Sequence, residues 1–152
     1  MTDVRKIFAA IRHAIQASTP ATWPDRNFSC EPNSLVEQPV DWIQSQSRTF
    51  RDFCLHVASY PMSANAYCFY SIDVEVLIFY PFSVATDELQ ILTIEDAVTV
   101  QNLIGRHPEN WGGADSISFL NQQPYVYTTV TDDNADAIAQ VFAIPMRIEV
   151  KQ

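Results

Sequence analysis

Glycine is scarce in this sequence: Gly105, Gly112 and Gly113 are the only three in 152 residues. So few cannot build the G-x-G-x-x-G turn of a dinucleotide site or a Walker A loop, and neither lysine, Lys6 or Lys151, follows a glycine. Nucleotide binding by those routes is excluded. Positive charge is also short, with nine Lys and Arg against 18 Asp and Glu and a formal net charge of −9. Nucleic acid and anionic membrane surfaces are held by clustered Lys and Arg. Here the seven arginines are scattered, and the nearest approach to a basic patch, Arg48 with Arg51, reads as a solvated strand edge. Cysteine is limited to Cys30, Cys54 and Cys68, an odd number without C-x-x-C spacing. Cys54 and Cys68 fall in apolar strand patterns, where a free thiol behaves as a small buried hydrophobe, so a reducing cytoplasm is the expected setting. Long hydrophobic runs are missing as well. The most apolar stretch, Val74 to Phe82, is short and contains Glu75, so no membrane span is expected. The apolar residues after Arg5 and Lys6 are interrupted by Arg12 and His13, so no secretory signal is expected either.

What is present suits one globular domain: 47% hydrophobic residues, 18% charged and 12% aromatic. Val4, Ile7, Phe8, Ile11 and Ile15 recur at helical spacing, and Ser18-Thr19-Pro20 ends that helix. A long connection follows, from about Ala21 to Ser47, holding Pro24, Pro32, Pro39, Trp23 and Trp42. Phe53, Leu55 and Val57 alternate with Asp52, Cys54 and His56 as in a half-buried strand, and Tyr60 to Asn65 reads as a turn region. Cys68, Tyr70, Ile72, Val74, Val76, Ile78 and Tyr80 then form one apolar face of a long strand, which Pro81 stops. Its other face carries Tyr67, Phe69, Asp73, Glu75, Leu77 and Phe79. A second helix is expected from Asp87 and Glu88 to Ile104, with Thr93 and Asp96 in capping-box spacing and Gly105 at the C-terminal end. Two closing strands, Tyr125 to Thr131 and Ala139 to Val150, are joined through Asp132-Asp133-Asn134. The expected fold is a single α+β domain: an antiparallel sheet, with a mixed sheet as the variant, and two helices on one face.

Length adds a geometric expectation. A strand over Ala66 to Tyr80 spans roughly 50 Å at ~3.3 Å per residue, against a body about 40 Å across. Either it bends at a bulge, or Tyr67, Phe69 and Tyr70 project as a hairpin arm that another chain covers.

Catalytic and metal chemistry find no foothold in the spacing. His13, His56 and His107 lie on three different elements without H-E-x-x-H. His56 alternates with apolar neighbours and reads as a structural histidine. Cys54 and His56 point the same way from one strand but sit about 7 Å apart, too far for a nucleophile–base pair. The adjacent acids Asp87/Glu88, Glu95/Asp96 and Asp132/Asp133 diverge on any regular element, so none is a dyad by itself. Asp132 to Asp136 lacks the Gly and closing Glu of a calcium loop and reads as a polar turn. No enzyme activity, metal or cofactor is expected.

One pattern does resemble a known family. It consists of an amphipathic N-terminal helix and a Pro/Trp-containing connection, then a strand opening Arg51-Asp52-Phe53. A long strand follows, ending Val74-Glu75-Val76-Leu77-Ile78-Phe79-Tyr80-Pro81, then a Glu95-Asp96 helix ending Leu103-Ile104-Gly105. The closing strand is Ile144-Pro145-Met146-Arg147-Ile148-Glu149-Val150. Over nearly the whole chain this order is similar to that of the tail terminator, or tail completion, proteins of long-tailed bacteriophages. The resemblance implies a structural virion protein, assembled in the host cytoplasm into a ring of six copies. That ring ends growth of the tail tube, meets the tube protein on one side and the head connector or stopper on the other, and lets DNA pass without binding it. Two turns, Asp87/Glu88 and Asp132/Asp133/Asp136, are the residues expected at the lumen or against the next ring, since a carboxylate-lined channel repels phosphate. The alternative reading is a small acidic binding adaptor or immunity-type protein, monomeric or dimeric, whose acidic face mimics nucleic acid.

Overall fold

The structure, a computed structural model, describes residues 4–24, 26–30, 48–59, 69–82, 86–105, 111–114, 116–118 and 123–151. The turn expected over Tyr60 to Asn65, Tyr67 and Cys68 of the expected arm, and most of the long connection, with Pro32, Pro39 and Trp42, lie outside the described residues. The elements run α1 (Val4–Ala17), β1 (Phe53–Ser59), β2 (Phe69–Pro81), α2 (Thr86–Gly105), β3 (Ser116–Ser118), β4 (Tyr125–Thr131) and β5 (Ala137–Lys151). The fold is α+β, as the patterning indicates.

β5 is the organising strand. It pairs antiparallel with β2 along its length, from Pro81 opposite Ala139 to Phe69 opposite Lys151, without a register shift. On its other side it pairs with β4 up to Ala143 and with the short β3 from Arg147 to Glu149. Pro145 falls between those two partners, where a missing N–H breaks no ladder bond to them. β1 pairs antiparallel with the far side of β2 and carries the irregularity, between Val57 and Ser59. Among the described residues the one parallel element is an isolated bridge from Ser29 to Asp52, and the ladders are antiparallel. The bulge considered for the long strand is therefore absent from residues 69–81. The backbone of Phe69 and Tyr70 pairs with β5 rather than standing free of the sheet.

Alternation sorts the side chains onto two faces. Phe53 and Leu55 of β1, Ile72, Val74, Val76, Ile78 and Tyr80 of β2, and Phe142, Ile144, Met146, Ile148 and Val150 of β5 share one face. They pack in one cluster with Ile7, Phe8, Ile11 and Ile15 of α1 and with Leu89, Leu92, Ala97, Val100 and Ile104 of α2. The opposite face buries a smaller set: Cys54, Leu77, Phe79, Ala139, Val141 and Ala143, with Tyr127 and Val130 of β4 against it. His56 of β1 meets Tyr127 edge-on at 6.2 Å, and the Tyr125 hydroxyl donates to Glu75 of β2. Both contacts reach across β5, so the sheet curls and this second face is concave.

A close approach fixes α1 to the segment after α2. Gly112 has φ +63, and a Cβ there would lie 2.7 Å from the Lys6 carbonyl carbon and oxygen. The neighbouring Trp111 is buried, and its indole N–H donates to the Ile104 carbonyl at 3.2 Å, satisfying one of the acceptors left over at the end of α2. Gly112→Ala is therefore expected to combine backbone strain with a backbone clash and to cost about 1–3 kcal/mol. Thermal melting should show a fall of several degrees, since a chain this long loses about 2–4 °C per kcal/mol. An unchanged melting temperature would mean that the segment moves off α1 without cost.

Candidate functional site

The most tightly built polar cluster lies between α2, the start of β1 and the segment after α1. Thr49 to Asp52 forms a turn closed by the Asp52 N–H on the Thr49 carbonyl at 3.1 Å. Its third residue, Arg51, has φ +62, the left-handed conformation such a turn demands and one unusual for arginine. That turn aims the Arg51 side chain into the protein, where it is 0% exposed. Its Nε and Nη2 donate to the two carboxylate oxygens of Asp96, at 2.9 and 2.8 Å. Nη1 donates to the carbonyls of Trp23 and Arg26, at 2.9 and 2.8 Å, and Nη2 donates to that of Thr22 at 2.6 Å. All five guanidinium protons are thereby used. The Tyr80 hydroxyl donates to Asp96 at 2.7 Å, and the guanidinium stacks 5.0 Å from the Phe50 ring and 5.5 Å from the Phe28 ring.

Burial holds the Asp96 carboxyl above its ordinary range, against the opposite pull of Arg51 and Tyr80, and burial likewise pushes the Tyr80 phenol well up. Every donor of the cluster is used within it, and Arg51, Tyr80 and Asp96 are all 0% exposed. The cluster's effect is mechanical: one cation ties Thr22, Trp23, Arg26 and the β1 turn to α2. Two sequence expectations are corrected here. Arg51 is not a solvated strand edge, because the left-handed turn directs it inward. Thr93 does not cap a helix, because α2 begins at Thr86; Thr93 is buried in mid-helix and donates to the Gln90 carbonyl at 2.9 Å. Gly105 ends α2 without adopting the left-handed conformation.

The residues expected at the lumen occupy one end of the sheet. Pro81, the last residue of β2, pairs with Ala139, and the Phe82 N–H donates to the Ile138 carbonyl at 2.8 Å. The β4–β5 turn therefore emerges at the same end of the sheet as the C-terminus of β2. Asp132, Asp133 and Asp136 in that turn, and Asp87 and Glu88 in the first turn of α2, are all exposed. The turn is shaped by Asp132: its carboxylate accepts from the N–H groups of Asn134 and Asp136 at 2.9 and 3.0 Å, while Ala135 takes φ +62. Asp87 and Glu88 sit where a helix N-terminus favours negative charge. The β4–β5 turn thus lies at the end of the sheet where β2 stops, a few residues before α2 begins with Asp87 and Glu88 in its first turn.

A third region lies on the concave face. A cleft of about 440 Å³ is bounded by Asp73, Glu75, Gln123, Tyr125 and Pro145. Asp73 and Arg147, direct partners across β2 and β5, pair at 2.8 Å, and Ser59 also donates to Asp73. Arg147 accordingly holds the Asp73 carboxyl below its ordinary range. Glu75 is buried and accepts from Tyr125, whose phenol is raised by burial and by that carboxylate. Cys54 and His56 stand on this face, Cys54 buried and His56 half-buried against Tyr127. Among the described residues, no three His, Cys, Asp or Glu side chains are grouped to hold a metal ion, and no helix is long and apolar enough to cross a membrane.

Sequence reasoning missed the Arg51 cluster, yet one signal pointed to it. Asp96 falls on the stripe of α2 that carries Leu89, Leu92, Val100 and Ile104, and an acid on a buried stripe requires a partner. No family model matches the chain, and neither does any curated protein.

Proposed function

We propose that this chain is a structural subunit of the tail terminator type, six copies of which form a ring at the top of a phage tail tube. The ring would end tube growth and join the tail to the head connector. The observation that carries the reading is that Asp87, Glu88, Asp132, Asp133 and Asp136 are all exposed, the last three in a turn at the end of the sheet where β2 stops and, a few residues on, α2 begins. Carboxylates concentrated on the rim or wall of a channel repel DNA phosphates, so the duplex slides through without adhering. The Arg51 cluster supports the same reading. It ties the middle of α2 to the entry of β1 through Asp96 and Arg51.

The test is neutralisation of the β4–β5 turn. Asn at 132, 133 and 136 removes three charges while keeping the side-chain oxygen at 132 that shapes the turn. Exposed charges of this kind contribute little to stability, so the triple variant should melt near the parent. Infectious titre or head–tail joining should nevertheless fall. Normal infectious particles would show that the turn is only a solvated connection.

A further inference from the structure

On the concave face one carboxylate lies buried without a cation. Glu75 of β2 is 7% exposed, and its Oε2 accepts from the Tyr125 hydroxyl. Among the described residues its Oε1 receives no donor, and Glu75 joins no ion pair. The residues directly opposite it supply none: Pro145 of β5 has no donor, and His56 of β1 faces the Tyr127 ring at 6.2 Å. Among the described residues no side-chain oxygen is both sealed from solvent and unbonded, so Oε1 opens on the cleft of about 440 Å³ that Glu75 lines. A carboxylate so deeply buried is costly to hold with one neutral partner alone. We propose that this cleft binds a primary ammonium group, carried by a free alkylamine or by a lysine side chain of a partner, with Glu75 as its counter-ion. The site stands apart from the acidic turns, and the proposal does not depend on the ring reading.

The lining selects the kind of cation. Arg147 already donates to both oxygens of Asp73, at 2.8 and 3.3 Å, so each of those two charges is committed to the other. A second guanidinium would ask for two free carboxylate oxygens side by side, and Glu75 offers one. A metal ion is ill served, because among the described residues no three His, Cys, Asp or Glu side chains are grouped to hold it. An ammonium carries three donors and no acceptor. Glu75, Tyr125 and Gln123 line the same cleft and present to it a carboxylate oxygen, a phenol oxygen whose proton is given to Glu75, and an amide oxygen. Ala58 and Pro145 border the cleft with apolar surface, which suits the methylene stem behind the charge.

The test is titration of the isotope-labelled protein with n-butylamine at neutral pH and constant ionic strength, followed by the amide signals in NMR. Signals of residues 73–75 and 123–125 should move along a saturating curve, with Kd on the order of millimolar for so small a ligand. Tetramethylammonium, which has charge but no N–H, should leave them in place. Glu75→Gln keeps an acceptor for Tyr125 and removes the charge; it should weaken binding at least about tenfold without lowering the melting temperature. Tyr125→Phe should also weaken binding, whereas Asp132→Asn, on an exposed turn, should not. A lysine capped at both ends separates the two sources. Binding equal to that of butylamine shows that the cleft admits a lysine side chain, and binding of butylamine alone assigns it to small free amines. Shifts that never saturate, an equal response to tetramethylammonium, or an affinity indifferent to Glu75→Gln and Tyr125→Phe would each overturn the proposal.

Discussion

Replacing Arg51 with Met should cost about 3–5 kcal/mol, the largest loss expected from any single change in this chain. The substitution removes five hydrogen bonds at once and leaves the Asp96 carboxylate buried with only the Tyr80 hydroxyl to answer it. It also releases the carbonyls of Thr22, Trp23 and Arg26 from their common donor. The companion double variant, Arg51→Met with Asp96→Leu, should lose less than Arg51→Met alone. Burial already disfavours the charged Asp96, so removing both charges also removes a desolvation cost. Chemical denaturation of the two variants decides the matter. If the double variant is less stable than the single by the full cost of a second core lesion, the ion pair contributes net stability and the cluster has been misread.

Ile11→Ala should cost about 2–5 kcal/mol, because it deletes buried methyl and methylene groups from the centre of the helix–sheet layer. Ile11 is fully buried with Ile7 and Ile15 on the face α1 turns to the core. Urea unfolding should show a lower midpoint with an unchanged slope, the mark of lost stability without altered compactness. A midpoint equal to the parent would mean that α1 is held by other contacts, and the core described above would need redrawing.

Much of this architecture could be read from periodicity. The α1 stripe, the alternation of β1 and β2, and the strands on either side of Asp132–Asn134 all reappear, because a half-buried element writes its own spacing into the sequence. The spacing of α2 was blurred for a physical reason: Ile91, Ile94 and Val98 lie on the side away from the core and fill in the polar half of the pattern. β3 is three residues long and too short to show a period. The Arg51–Asp96 pair was invisible because its partners are 45 residues apart, and its direction depends on a left-handed turn that local propensity does not announce for arginine. The placing of the β4–β5 turn beside the end of β2 needed the β2–β5 register, which fixes Pro81 against Ala139.

The proposed function is decided by where the chain sits in an assembled particle. Electron microscopy of tails carrying this protein with a label at its C-terminus would show this most directly. Six labels are expected in a closed ring at the head-proximal end of the tube, around an open channel, with residues 132–136 facing the lumen or the next ring. Tails that carry no label, or labels scattered along the tube without a ring at its end, would contradict it.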